Sequence, residues 1–179
     1  CANLYAVTLP ASLQTIGDHA FEASNVQEAV LPAGLKTIGA YAFRHCSNIT
    51  RVTLPDGLTT LGEGTFQQCE ALVTADLMNP MDITSIPRYA FDGCSGLRNV
   101  YLPFFIEAVG DYAFRGCASL RQIQFVAPTK TIGAYAFSGC TSLKSLNLPK
   151  SLETIGEYAF SGCQAISVIS SPSLVPPTI

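Results

Sequence analysis

Apolar residues recur along the chain in one pattern, Leu-x-x-Val-x-Leu-Pro-x-x-Leu-x-x-Ile-Gly-x-Tyr-Ala-Phe-x-x-Cys. The phenylalanine of the pattern stands at seven positions: Phe21, Phe43, Phe66, Phe91, Phe114, Phe137 and Phe160. The steps between them are 22, 23, 25, 23, 23 and 23 residues. A fixed period of roughly 20 to 50 residues is the signature of a solenoid, in which each coil packs only on its neighbours. We number the coils one to seven by these phenylalanines.

The first part of each coil predicts a short β-strand. Val or Ile alternates with Leu, and a proline closes the segment, as expected where a strand ends. Stacked in register, these segments predict a parallel sheet along one face of the solenoid. They are Leu4–Pro10, Val26–Pro32, Ile49–Pro55, Leu97–Pro103 and Leu143–Pro149.

The rest of each coil predicts a turn, the sequence Leu-x-x-Ile-Gly, and then a short helical turn. Pro87 replaces the glycine in coil four, and proline cannot adopt a positive φ, so we predict the start of a helical turn here. Acidic residues follow at Asp18, Glu63, Asp111 and Glu157, where a helix N-terminus favours negative charge. A left-handed cap residue is expected between the helical turn and the cysteine, four residues after the tyrosine column, at Gly93, Gly116, Gly139 and Gly162 and at the equivalent His45 and Gln68.

The pattern resembles the BspA-type, or treponemal-type, leucine-rich repeat over essentially the whole chain. The resemblance implies an α/β solenoid: a right-handed coil with a parallel β-sheet on one face and short helical turns or extended segments on the other. It also implies a surface-exposed or secreted protein of bacteria or parasitic protists that adheres to host proteins or to other cells. We expect residues 1–179 to form one array of about seven repeats of ~23 residues with partial repeats at both ends. Because Cys1 to Leu4 match the end of a repeat, we expect a segment of a longer chain.

The aromatic and cysteine columns are predicted to be structural. Phe43, Phe66, Phe91, Phe114, Phe137 and Phe160 are the expected core, each stacked on the equivalent ring of the next coil. Six of the seven cysteines occupy one repeat position, which predicts a ladder of small, buried, reduced thiols. Cysteines on adjacent coils lie within disulfide distance, but their parallel Cβ vectors make bridging awkward.

Composition excludes several function classes. A net charge of −3 gives no general case for binding nucleic acid or an anionic membrane, and no apolar run approaches the roughly 20 residues of a membrane span. No phosphate-binding loop, HExxH or GxSxG motif is present, and His19 and His45 fall in unrelated columns. We therefore predict no catalytic residue, metal site or cofactor. A protein-binding or adhesion module is the first hypothesis, and an intracellular scaffold or regulatory interaction domain is the alternative.

The first candidate binding surface is a column on the strand face. The position after the first leucine of each coil should face solvent, and in coils five to seven it holds Arg98, Arg121 and Lys144. Asn99, Tyr101, Gln122 and Gln124 flank this column. Three neighbouring cations suit an acidic protein surface or, with less support, a glycan. The competing interpretation is a solvated column without a ligand.

The second candidate surface is an edge. Coil five carries Phe104 and Phe105 where other coils have short polar residues, and coil four has a two-residue insertion beside them, between Met78 and Met81. Exposed apolar groups together usually mark an interaction site, and methionine suits adaptable contacts. A partner protein or a second copy would use this edge. The competing interpretation is that the insertion folds over the two rings and covers them.

Overall fold

The computed structural model describes residues 6–125 and 128–170, and in these ranges every regular element is a β-strand. Each coil contributes one three-residue strand and one two-residue strand. The three-residue strands are β1 (Ala6–Thr8), β3 (Glu28–Val30), β5 (Arg51–Thr53), β7 (Thr74–Asp76), β9 (Asn99–Tyr101), β11 (Gln122–Gln124), β13 (Ser145–Asn147) and β15 (Val168–Ser170). The two-residue strands are β2 (Thr15–Ile16), β4 (Thr37–Ile38), β6 (Thr60–Leu61), β8 (Ser85–Ile86), β10 (Ala108–Val109), β12 (Thr131–Ile132) and β14 (Thr154–Ile155).

The strands of successive coils pair in parallel, with equivalent repeat positions side by side. Ile123 pairs with Leu146, for example, and Leu146 with Ile169. The predicted parallel sheet is thus present, but it is divided into three parts: β1-β3, β5-β7-β9 and β11-β13-β15. The two-residue strands form a second, unpredicted set of parallel sheets, β2-β4-β6 and β8-β10-β12-β14.

The second set of sheets is interrupted between coils three and four, at the position of Pro87. In coils two, three and five to seven the glycine of the Ile-Gly pair donates its N–H to the preceding coil, as Gly110 does to Ile86 O at 2.8 Å and Gly133 to Val109 O at 2.8 Å. Proline has no N–H to donate. The insertion between Met78 and Met81 precedes the same strand, so both departures of coil four coincide with the gap between β6 and β8.

The prediction of helical turns, and with it the α/β description, is wrong: the described chain is a parallel β-solenoid. The tyrosine column adopts left-handed backbone, with φ of 58° at Tyr112, and the column four residues later is left-handed as well, with φ of 71° at Gly116. Between two such positions only one α-helical hydrogen bond could form, from Gly116 N–H to Tyr112 O, and Gly116 N–H donates to Ser138 O of the next coil at 2.7 Å. The N–H groups instead cross to the next coil, from Tyr112 to Ala134 O at 2.9 Å and from Phe114 to Ala136 O at 2.7 Å.

The acidic residues expected at helix N-termini have a different role. Asp18 Oδ1 accepts the N–H of Ala40 at 2.7 Å, and Asp111 Oδ1 accepts that of Ala134 at 2.8 Å. Each aspartate therefore pairs a backbone donor of the following coil, which would otherwise lack a partner in the protein. Glu63 accepts instead from the hydroxyl of Tyr41 at 2.6 Å, and this hydrogen bond raises the pKa of Tyr41.

The left-handed positions expected before the cysteines are confirmed in the backbone. Gly93, Gly139 and Gly162 have φ between 75° and 77°, and His45 and Gln68 have φ of 57° and 59°. The glycine of the Ile-Gly pair has no positive φ, as Pro87 indicated. Close packing explains why glycine occupies this position. A Cβ at Gly133 would lie 2.6 Å from the backbone nitrogen of Asp111 in the preceding coil.

A column of phenylalanines forms the centre of the core. Successive rings are parallel, with centroids 5.2 to 5.5 Å apart from Phe21 to Phe160. The five rings from Phe43 to Phe137 are fully buried, and Phe160 is partly buried. Beside them, each of the six described cysteines donates its S–H to the phenylalanine carbonyl of the preceding coil, as Cys94 does to Phe66 O at 3.0 Å. The thiol ladder thereby pairs one phenylalanine carbonyl in each of coils one to six.

Replacement of one interior ring tests this core. We expect Phe114→Ala to lower the free energy of unfolding by about 3 to 5 kcal/mol, because it removes a fully buried ring and leaves a cavity between two coils. Urea denaturation followed by circular dichroism measures the loss. Phe105→Ala, the same change at a half-exposed ring, is the control and should cost less than about 1 kcal/mol. Equal stability of the two variants would contradict the central role of the column.

Candidate functional site

The strand face of coils five to seven carries three exposed cations. Arg98, Arg121 and Lys144 each precede a strand, and all three side chains are exposed. In the part of the chain that the structure describes, none of them makes an ion pair. The same column in earlier coils is exposed but uncharged, with Gln27, Thr50 and Val73. Tyr5, at the start of the column, lies outside the described residues.

Neutral polar side chains occupy the rest of this face. Asn99 and Tyr101 are the outward residues of β9, and Gln122 and Gln124 are those of β11. All four are exposed, whereas Ile123 between the two glutamines is buried. The outward positions of β9, β11 and β13 include no acidic residue. The face is therefore basic along one side and uncharged across its middle.

A cleft of about 310 Å³ lies on this face, where the sheet is interrupted between β9 and β11. In intact parts of the sheet the residue after a strand donates across the coils, as Leu77 does to Tyr101 O at 2.9 Å. Between β9 and β11 the strands are adjacent but not paired. The residues that line the cleft are Met78, Asn99, Val100, Tyr101, Leu102, Phe104, Gln122 and Gln124.

The four apolar residues of the second candidate surface, Met78, Met81, Phe104 and Phe105, remain exposed. Their exposed fractions are 37%, 61%, 53% and 49%, so the insertion does not cover the two rings. Met78 and Phe104 border the same cleft. We call these four residues the apolar edge. It joins the strand face at the cleft, which brings parts of both candidate surfaces together.

The insertion is held in place by polar contacts at its base. Asn79 Nδ2 donates to Leu54 O of the preceding coil at 3.2 Å, and the N–H of Met78 donates to Asp76 Oδ1 at 3.3 Å. Pro80 is buried. These contacts fix the backbone of the insertion, while both methionine side chains project outward.

A second cleft, which the sequence did not reveal, lies where the sheet is interrupted between β3 and β5. Its volume is about 610 Å³, and its lining residues include Glu28, Val30, Arg51, Asp56 and Asn79. It carries charges of both signs, in contrast to the uncharged cleft at β9 and β11. Asn79 of the insertion borders this cleft and Met78 the other, so the insertion stands between the two. A length difference within the repeat was the only sequence signal for this arrangement.

Among the buried polar side-chain atoms of the described chain, Arg44 Nε has no hydrogen bond and lies 3.4 Å from Glu22 Oε1, whereas the buried carboxylate of Asp92 is fully paired. Asp92, 1% exposed, receives two hydrogen bonds from Arg115 at 2.8 and 2.9 Å and one from Gln67 at 2.9 Å. Its charge is neutralised by the guanidinium and is not presented to a cleft. His19 stacks on Tyr41 at 5.3 Å, and His45 is an exposed left-handed residue. Asn48, in the chain's one glycosylation sequon, donates to Asn25 at 3.1 Å.

Neither a metal cluster nor a membrane-spanning segment is found in the described residues. Residues 6–125 and 128–170 hold no group of three potential metal ligands. In the same ranges no helix of sufficient length and apolarity to cross a bilayer occurs. Cys46, Cys69, Cys94, Cys117 and Cys140 are buried free thiols, and Cys163 is partly buried.

Comparison with known proteins identifies one matching family. A family model described as "BspA type Leucine rich repeat region" matches residues 1–98 and 74–176, with six copies. No curated protein matches the chain.

Three solved structures illustrate the likeness. A leucine-rich repeat protein from Eubacterium ventriosum is 27% identical with a TM-score of 0.79, over 94% of this chain and 43% of that one. A leucine-rich cell surface protein from Faecalibacterium prausnitzii is 24% identical with a TM-score of 0.70, over 98% and 55%. The pneumococcal vaccine antigen PcpA is 22% identical with a TM-score of 0.53, over 89% and 54%. The chain thus spans about half the length of these proteins, and the last two show the fold alone.

The thiol ladder predicts a specific order of alkylation. Burial raises the pKa of the Cys46, Cys94 and Cys117 thiols, so at mildly alkaline pH they form less of the reactive thiolate than an ordinary cysteine. Cys163 is half-buried, and a hydrogen bond with Cys140 lowers its pKa. Among the six described cysteines, we therefore expect maleimide to label Cys163 first and the five buried ones only in denaturant. Residue-resolved mass spectrometry checks the order, and rapid native labelling of Cys94 or Cys117 would contradict their structural role.

Proposed function

Because the chain belongs to the BspA-type leucine-rich repeat family, we propose that it is a non-catalytic adhesion module of a surface-exposed or secreted protein. In this proposal the module binds host or neighbouring-cell macromolecules. Its ligand is a protein of the extracellular matrix or of a cell surface. Repeat proteins of this kind use an extended stacked surface to bind partners.

The observation that carries the proposal is the apolar edge. Two phenylalanines and two methionines remain 37% to 61% exposed beside a cleft. The phenylalanines of the repeat column, by contrast, are buried from Phe43 to Phe137. Grouped exposed apolar residues are a feature of interaction sites in soluble proteins. The core below the edge is complete without them, since Leu102 and Ile106 on either side of the two rings are buried.

A surface location draws support from two structural neighbours. One is described as a cell surface protein and the other as a vaccine antigen. The alternative, an intracellular scaffold or regulatory domain, would use the same surface. The free cysteines fit either compartment, because burial shields them from external oxidants.

The location is tested on intact cells of the source organism. An antibody raised against the purified module should stain cells without permeabilisation, and protease added outside should remove the signal. Staining that requires permeabilisation would favour the intracellular scaffold.

Binding is tested with a triple variant of the apolar edge, Phe104→Ser, Phe105→Ser and Met81→Ser. We expect it to reduce binding to a panel of purified extracellular-matrix proteins by at least about tenfold, since several buried apolar contacts of ~1 kcal/mol each would be lost. Surface plasmon resonance measures the affinities, and thermal unfolding should show that the variant keeps the fold.

A matched control replaces two exposed apolar residues at outward strand positions elsewhere, Val30 and Val168, by serine. This control should bind like the parent. Sedimentation of both variants reports whether the edge instead joins two copies of the chain, in which case only the edge variant would lose a dimer. Unchanged affinity and unchanged association state of the edge variant would refute the proposed site.

A further inference from the structure

We infer that the strand face of coils five to seven binds an extended polypeptide segment in which acidic side chains alternate with an apolar one. This inference rests on the proposed function and names the chemistry of the partner. The site consists of the cation column, defined as Arg98, Arg121 and Lys144, and the cleft between β9 and β11.

Charge complementarity indicates an anionic ligand. Three cations stand on adjacent coils without an ion pair in the described chain, although the protein carries a net charge of −3. Neighbouring strands are about 4.8 Å apart, so the column extends over roughly 10 Å. An anionic group opposite this column would relieve the repulsion between like charges, and its approach would be favoured electrostatically.

The cleft indicates a second, apolar requirement. Met78, Tyr101 and Phe104 supply apolar lining, and the cleft contains no charged residue. Its volume of about 310 Å³ is at the lower end of the roughly 300 to 1,000 Å³ of small-molecule sites. It therefore suits one large side chain.

The polar residues that line the cleft favour a polypeptide over a sulfated glycan. Asn99, Gln122 and Gln124 present amide donors and acceptors, which match the N–H and C=O groups of a peptide backbone. A polypeptide also supplies both carboxylates and an aromatic or aliphatic side chain. A sulfated glycan supplies the anions but lacks an apolar side chain for the cleft.

The relative position of the two parts sets the pattern of the ligand. Arg98 and Tyr101 are three residues apart on one strand segment, about 10 Å. Successive side chains of an extended chain point in opposite directions. A segment that crosses the coils between column and cleft would direct alternate side chains to the cations and those between them to the cleft. The recognised pattern is thus acidic, apolar, acidic.

Two synthetic peptides of equal composition test this pattern: Glu-Trp-Glu-Gly-Glu-Gly-Gly and Glu-Gly-Trp-Gly-Glu-Gly-Glu. The protein contains no tryptophan, so tryptophan emission reports only the peptide. We expect the first peptide to bind at least about fivefold more tightly, because only its tryptophan is directed to the cleft, where burial is worth ~1 kcal/mol or more. Its emission should shift to the blue on binding.

Variants separate the two halves of the site. Replacing the cation column, Arg98→Ser, Arg121→Ser and Lys144→Ser, should weaken the first peptide about tenfold at low salt and flatten the salt dependence. The control, Lys36→Ser, Lys130→Ser and Lys150→Ser, removes the same charge outside the strand face and should change affinity less than about twofold. Met78→Ser with Phe104→Ser should abolish the blue shift and keep the salt dependence.

Three results would overturn the inference: equal affinity of the two peptides, equal effects of the column and control variants, or binding of a sulfated oligosaccharide to the column while both peptides fail. Loss of peptide binding alone leaves the proposed function intact if the apolar-edge variant still reduces binding to matrix proteins. If no matrix or cell-surface protein binds the module, the proposed function is refuted, whether or not the peptides bind.

Discussion

Each coil of this protein depends on its neighbours, and the spacing of the phenylalanine rings shows how. The rings stack at 5.2 to 5.5 Å, and beside them backbone N–H groups donate to the adjacent coil on three sides of the solenoid. A single coil would leave both its ring faces and these donors exposed to water. The array is therefore stable only as a stack, and the repeat length must be kept wherever the ladder continues.

The same constraint explains why tyrosine adopts a left-handed backbone. Such a conformation costs a non-glycine residue about 1 kcal/mol or more. Tyr89, Tyr112, Tyr135 and Tyr158 offset this cost by stacking at 5.0 Å, an interaction worth about 0.5 to 1.5 kcal/mol per pair. In coil three the column holds Gly64, which adopts φ of 58° and leaves space for the ring of Tyr41. Where the column holds tyrosine in coils four to seven, ring stacking thus offsets the cost of the left-handed backbone; where it holds glycine, that cost is absent.

The sequence was sufficient for features that repeat and insufficient for those that depend on cross-coil geometry. The phenylalanine spacing predicted the solenoid, and Pro87 excluded a positive φ at the Ile-Gly position. The segment Asp111 to Phe114 has the local composition of a helix N-terminus, yet hydrogen bonds to coil six give it another conformation. In such a short segment, hydrogen bonds to the neighbouring coil outweigh a local preference for helix. For the candidate site, the repeat positions predicted that the column and the edge are exposed, but they gave no sign of the interruption of the sheet that forms the cleft.

Departures from the repeat are concentrated where they do not disturb the core. The insertion of coil four and the two phenylalanines of coil five lie beyond the ends of β7 and β9, while Phe91 and Phe114 in the same coils stay fully buried. A change in the core would affect both neighbouring coils, whereas an added loop on the edge affects only the surface. Residues of the edge and of the strand face can therefore change almost independently of stability. The coexistence of an invariant phenylalanine column and a variable outer face within this one chain follows from that separation.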